Sequence, residues 1–229
     1  MSATRFTPVG ISVEQLAVAW ARREGAAAGS TIVVGQEISG RMRLGIPWQP
    51  TPGTALACAT VLRPALLPDV EDVLWVVALV AAAQATGARP GWPDLLFTGE
   101  GRQIGAVNLD VQLGPGRIES AVVSLRVDVP GLGASGDGRA PARESMVEAF
   151  VDHALRASSL AENGVSAILD EYAACSALIG QVVRARLLPK GDTRGRAVAV
   201  DPQGRLVLES PSGMLERLMP ATVLRVDRV

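Results

Sequence analysis

The sequence predicts an α+β protein in two unequal parts, and three observations carry that expectation. Helical and strand-like patterns are interspersed from residue 12 to residue 178. Two strand patterns, Ile104–Leu113 and Glu119–Val129, are joined by Gly114-Pro115-Gly116, a turn signal. Composition then shifts at Gly180 to short alternating segments broken by tight turns, the pattern of a small β-barrel. Residues 1–178 and 180–229 are therefore expected to be separate domains.

Each element has its own signal. Residues 12–28 read as a first helix, with Leu16, Val18, Ala19 and Trp20 after Ser12, a candidate N-cap with Gln15 at the capping-box position. Thr31–Val34 is an apolar strand, and residues 35–53 form a loop ending in Pro50-Thr51-Pro52-Gly53. Ala55–Leu62 is a second strand. Asp69 or Asp72 starts a long helix through Leu74, Val77, Val80 and Ala81, which Gly87 stops. Leu95–Phe97 is a short strand before the turn Gly99-Glu100-Gly101. In the strand 119–129, Val123, Leu125 and Val127 alternate with Ser124, Arg126 and Asp128, so one face is apolar and the other polar. Pro130 to Pro141 reads as a disordered loop. Ser145–Ser158 is an amphipathic helix with Met146, Ala149, Phe150, His153 and Ala154 on one face, and Ser166–Leu178 is the last helix. Beyond Gly180, strands are expected at Val182–Leu187, Arg196–Val200, Leu206–Glu209 and Val223–Val226.

Composition excludes several classes of function. Hydrophobic residues make up 48% of the 229 and charged residues only 20%, which suits a packed core. The net charge of −1 supplies no basic field for nucleic acid. The apolar run Val73 to Ala83 is too short to span a bilayer, and residues 1–20 lack the pattern of a signal peptide. Cys58 and Cys175 suggest no disulfide framework, and the single histidine, His153, has no partner at metal-ligand or triad spacing. The expectation is a soluble cytoplasmic protein with neither a nucleic-acid nor a membrane partner, and with no metal site. Of 22 basic residues 21 are arginine, and Lys190 is the single lysine.

The chemistry concentrates in Gly40-Arg41-Met42-Arg43-Leu44-Gly45-Ile46-Pro47-Trp48, a glycine-bounded loop carrying two arginines. Guanidinium groups make bidentate, charge-assisted hydrogen bonds to phosphate or carboxylate. Two readings of Arg41 and Arg43 stand: contact with an anion, or ordinary solvated loop arginines. Trp48 and Trp92 are likewise either core residues or stacking platforms, and Asp94 is either a Mg²⁺ ligand or a turn-former.

This loop resembles the nucleotide-covering loop of the biotin–protein ligase family, Gly-Arg-Gly-Arg-x-Gly-Arg-x-Trp, with Met42 and Ile46 in place of a glycine and an arginine. Further resemblances follow in order. Trp92-Pro93 and Asp94 match Lys-Trp-Pro-Asn-Asp, and Gly101-Arg102-Gln103-Ile104-Gly105 matches Gly-Arg-Lys-x-Gly-Gly. Val107-Asn108-Leu109-Asp110, Ser124 to Asp128, Glu171 to Gly180 and Gly195 to Leu206 resemble later segments. The resemblance to the biotin/lipoate–protein ligases implies a mixed sheet packed with helices, followed by an SH3-like barrel. It also implies that biotin or a lipoyl-type acid is adenylated with ATP and Mg²⁺ and passed to a lysine on a carrier domain, in a chain able to form a homodimer. No DNA-binding segment precedes residue 12, so the repressor branch of the family is not expected. The implied nucleotide residues are Gly40, Arg41, Arg43, Trp48 and Asp94. Those implied for the acyl pocket are Ser12, Gln36, Glu37, Trp92, Gln103, Gly105, Ser124, Arg126 and Asp128.

The departures from the pattern bear on activity. Gly91 and Gln103 stand where the family has its two reactive-site lysines, with Arg89 and Arg126 as candidate replacements. Removing one preorganised donor from such a site costs roughly 3–4 kcal/mol. Ser124 and Arg126 replace paired glycines, and Glu14 replaces an asparagine. Arg126 is expected to fill the former ligand cavity or to pair with Asp110 or Asp128. The sequence favours a divergent member with weakened or lost adenylation that retains ligand or carrier-domain binding. An active biotin–protein ligase and a self-associating structural protein are the alternatives.

Overall fold

The computed structural model describes residues 2–49, 54–128 and 140–229. Its larger sheet has seven strands in the order β1-β2-β3-β7-β6-β5-β4. These are β1 (Thr4–Gly10), β2 (Thr31–Glu37), β3 (Ala55–Leu62), β4 (Arg89–Gly91), β5 (Leu95–Phe97), β6 (Gln103–Gly114) and β7 (Arg117–Asp128). The β1–β2 pair is parallel, as a crossover helix between them requires, and the other neighbours are antiparallel.

Helices cover both faces. On one, α1 (Val13–Arg23) packs Val13, Ala17, Trp20 and Ala21 against Ile32, Val34, Ala57, Ala59 and Val122. On the other lie α2 (Val73–Thr86), α3 (Ala140–Asn163) and α4 (Val165–Cys175), against Cys58, Val123, Leu125 and Val127. Eleven consecutive residues of α2, Val73 to Ala83, are buried, so this helix needs no polar face and shows none. Gly87 ends it with φ 70°, a left-handed position open to glycine.

The chain after Gly180 forms a second sheet, antiparallel throughout, in the order β11-β10-β9-β8-β12. Its strands are β8 (Val182–Leu187), β9 (Asp192–Val200), β10 (Leu206–Glu209), β11 (Leu215–Leu218) and β12 (Val223–Arg228). Trp92 joins the two sheets: its Nε1 donates to the Gly204 carbonyl at 2.9 Å, and its backbone N–H donates to the Tyr172 hydroxyl at 3.0 Å.

Several expectations are corrected. The first helix stops at Arg23 rather than residue 28, because Gly25 takes φ 65° and turns the chain. The strand begun at Thr31 continues to Glu37, shortening the predicted loop from its front, and residues 50–53 lie outside the described residues. The last helix ends at Cys175, where the Ser176 hydroxyl accepts the N–H groups of Leu178 and Ile179. β1, β4 and β11 were not expected. Of the predicted loop Pro130–Pro141, residues 130–139 lie outside the described residues, and 140–141 begin α3.

Gly204, in the β9–β10 turn, lies close against the start of α2. It has φ 80°, and a Cβ there would stand 2.4 Å from the Asp72 carbonyl carbon. Gly204→Ala is therefore expected to lower stability by about 2 kcal/mol or more, read as an earlier urea midpoint.

Candidate functional site

Alternation along β7 puts Ser124 and Arg126 on the sheet face covered by α1, and burial does the rest. Arg126 is 1% exposed. Its guanidinium forks onto two carboxylates. Nε and Nη2 donate to the two oxygens of Glu37, both at 2.7 Å. Nη2 also donates to Glu14 Oε2 at 2.5 Å, and Nη1 donates to Glu14 Oε1. Glu14 takes further bonds from Ser12 Oγ at 2.7 Å, Ser124 Oγ at 2.8 Å and Asn108 Nδ2 at 3.2 Å.

One guanidinium balances one of the two carboxylates, and the start of α1 serves the other. The Val13 N–H, at the first turn, donates to Glu37 Oε1 at 2.7 Å. Glu37 from β2 thus does the capping that was expected of Ser12, whose hydroxyl turns to Glu14 instead. An anion at a helix N-terminus is favoured by the free N–H groups and the helix dipole. Gly40 closes the cluster from above, since a Cβ there would lie 2.6 Å from Glu37 Oε2.

Burial pushes the Glu14 carboxyl up, but the hydrogen bonds and charge of Arg126, helped by Ser12 and Ser124, overcome it and hold the group at about 2. Burial also works against the charge on Arg126, and the two carboxylates more than compensate, raising its pKa. The expected partners are corrected here. Asp110 lies opposite Val122, four residues along β7 from Arg126, and faces Arg22 at 3.5 Å. Asp128 accepts from the Thr54 hydroxyl at the strand's end.

The glycine-bounded loop sends its two arginines in different directions. Arg41 is exposed and donates to the Gly45 carbonyl at 2.9 Å. Arg43 is 6% exposed and donates to the carbonyls of Pro220 at 2.9 Å, Val223 at 2.7 Å and Leu224 at 3.2 Å. Its Nε lies 3.3 Å from Asp94 Oδ1. Burial raises the pKa of Asp94, against the pull of the Arg43 charge. The loop is therefore latched to the C-terminal sheet through one side chain. The Trp48 N–H donates to the Gly40 carbonyl at 2.9 Å, while Gln36 is exposed and apart from the cluster.

Both candidate replacements for the lysines are engaged elsewhere. Arg89 donates to the Ser176 carbonyl at 2.7 Å, and Arg126 is taken up in its cluster. A Cβ at Gly91 would stand 2.5 Å from the Phe97 ring, which fills the space a side chain there would need. Gly105 packs equally tightly, its missing Cβ 2.4 Å from the Arg126 carbonyl oxygen.

A cleft of about 240 Å³ lies between the latched loop and the C-terminal sheet. It gathers Trp92, Asp94 and the exposed Gln103 with Met42, Ile46, Leu224 and two arginines, Arg186 and Arg225. The last three carried no signal in the sequence, because nothing there shows which strand of the second sheet will face the first. A magnesium ion does not fit these residues, although Arg186 and Arg225 put two guanidinium groups on the wall. Asp94 is the one carboxylate on the cleft wall and it faces Arg43, while both loop arginines are engaged by backbone carbonyls.

A model of the biotin protein ligase C-terminal domain matches residues 178–223. No curated protein matches the chain in sequence. Among solved structures, biotin protein ligase from Aquifex aeolicus in complex with biotin and ATP is 15% identical, with a TM-score of 0.68 over 100% of both chains. Biotin acetyl coenzyme A carboxylase synthetase from Helicobacter pylori, with bound biotinylated ATP, is 16% identical over 95% of this chain and 100% of that one, with a TM-score of 0.58. Biotin protein ligase from Leishmania major in complex with biotin is 12% identical over 94% and 97%, with a TM-score of 0.57.

Two outcomes follow from the cluster. Arg126→Met leaves two carboxylates buried without their cation and is expected to cost about 3–5 kcal/mol, with Glu14→Gln and Glu37→Gln added to it recovering part of the loss in urea unfolding. Because the folded-state pKa of Glu14 is depressed to about 2, its contribution of about 3 kcal/mol is complete above the unfolded value near 4.5 and is lost as pH falls toward 2. Acid titration of Glu14→Gln should show a shallower fall than the parent over that window.

Proposed function

From a chain with the biotin protein ligase fold and that family's C-terminal domain at residues 178–223, we propose a binding protein that has lost acyl adenylation. The observation that carries this reading is the buried cluster of Arg126, Glu14 and Glu37. It occupies the residues that the family pattern assigns to the acyl pocket: Ser12, Glu37, Ser124 and Arg126 are bonded within one network directly or through Glu14. An acid such as biotin would have to displace a guanidinium from two carboxylates in a site with little water. Breaking such a pair typically costs 3–5 kcal/mol, more than a new carboxylate can recover.

The reactive half is depleted in the same way. A carboxylate attacking a phosphate needs compact cations preorganised where charge develops. Gly91 and Gln103 supply none, and the Arg43 charge is turned into the C-terminal sheet. What remains is an ordered two-sheet surface suited to holding a macromolecular partner, with a carrier domain as the first candidate.

Incubation with ATP and biotin, octanoate or lipoate is expected to give no acid-dependent pyrophosphate release and no trapped acyl-adenylate. Acid-dependent pyrophosphate at a rate that scales with protein concentration overturns the reading.

A further inference from the structure

The second sheet turns an arginine-rich face to solvent. Residues 180–229 hold nine basic and five acidic side chains, a net +4, so residues 1–179 carry a net −5. On β8 the inward residues Val183 and Ala185 are buried, which leaves Arg184 and Arg186 outward. On β9 the buried Gly195 and Ala197 leave Arg194 and Arg196 outward.

Strand register sets like charges side by side, with two aspartates among them. Arg186 lies opposite Arg225 of β12 on one side and Asp192 of β9 on the other, and Arg184 lies between Arg194 of β9 and Asp227 of β12. Like charges facing each other across neighbouring strands are destabilising, and any polar residue would remove the repulsion. Arg184 and Arg225 are each relieved by an aspartate, Asp192 and Asp227. Arg186 and Arg194 make no hydrogen bond or ion pair within the described residues. The row ends at the mouth of the cleft, where Arg186 and Arg225 form part of the wall.

We infer that this face, from Arg194 across Arg184 and Arg186 to Arg225, is the docking surface for an acidic polypeptide segment of a protein partner. A run of aspartate or glutamate side chains removes the cross-strand repulsion and pairs the two unpartnered guanidinium groups. The charge map favours a protein over nucleic acid. A long uniform polyanion that covers this face also meets the first 179 residues, whose net charge of −5 repels it, whereas a short acidic segment meets only the basic face. The inference rests on the reading of the chain as a binding protein and names the chemistry of its partner.

The test uses the full chain and a fluorescent oligoglutamate of about six residues, short enough to stay on the basic face, as probe, read by anisotropy at low salt. Arg186→Glu and Arg194→Glu are each expected to weaken binding about tenfold or more. Arg117→Glu, at the exposed start of β7, is expected to change it by less than about twofold. Hydrogen exchange should slow in β8, β9 and β12 when the peptide is bound. Equal effects of the three substitutions, or displacement of the peptide by a single-stranded oligonucleotide of matched charge at lower concentration, overturn the inference. Neither readout involves acyl transfer, so pyrophosphate release would defeat the reading above while leaving this result to stand or fall by itself.

Discussion

A buried guanidinium needs its charge answered from several sides at once, and that requirement organises the α1 side of the large sheet. Arg126 comes from β7, Glu37 from β2 and Glu14 from α1, so one ionic cluster ties three elements together. The start of α1 supplies the remaining positive end through Val13, and Gly40 lets the loop backbone lie over the carboxylate. Replacing a buried ion pair by apolar residues is often neutral in stability, but removing one partner is costly. The cluster therefore constrains change: it is stable as a set and hard to dismantle one residue at a time. That argues against a pocket that opens and closes around a ligand at the same position.

The second constraint is the Arg43 latch. A loop that covers a nucleotide must be free to fold over it, yet here one arginine is held by three carbonyls of the C-terminal segment 220–224 and by Asp94. With Trp92 bonded to Gly204, the two sheets meet through directed hydrogen bonds as well as apolar packing. Rigidity between the sheets suits a surface that presents a fixed array of charges to a partner, and it works against the closure that adenylation requires.

Much of the architecture was legible wherever the hydrophobic period was clean. β3, β5, β8 and β10 have the predicted limits, and α2 ends at the predicted glycine. β1 was hidden because Thr4–Gly10 lies at a sheet edge with most of its residues exposed, so it shows no buried alternation, and Pro8 argues against a strand. β11 was hidden for the same reason, three of its four residues being exposed. The site was legible only in part. Arg126 was recognisable as out of place, but its partners lie 89 and 112 residues away in sequence, and spacing cannot choose among the chain's carboxylates. Glu14 had a visible signal, a charge standing where the related pattern has a neutral amide, and its meaning depended on the register that brings α1 over β7.

Calorimetric titration of the full chain with a non-hydrolysable biotinyl-adenylate analogue tests the central claim most directly, because that one molecule spans both halves of the site the related fold uses. With the Arg126 cluster in place and Arg43 latched, no heat of binding is predicted. Saturable binding at micromolar concentration would contradict the account, most sharply if it persisted while the stability contributed by Glu14 remained intact.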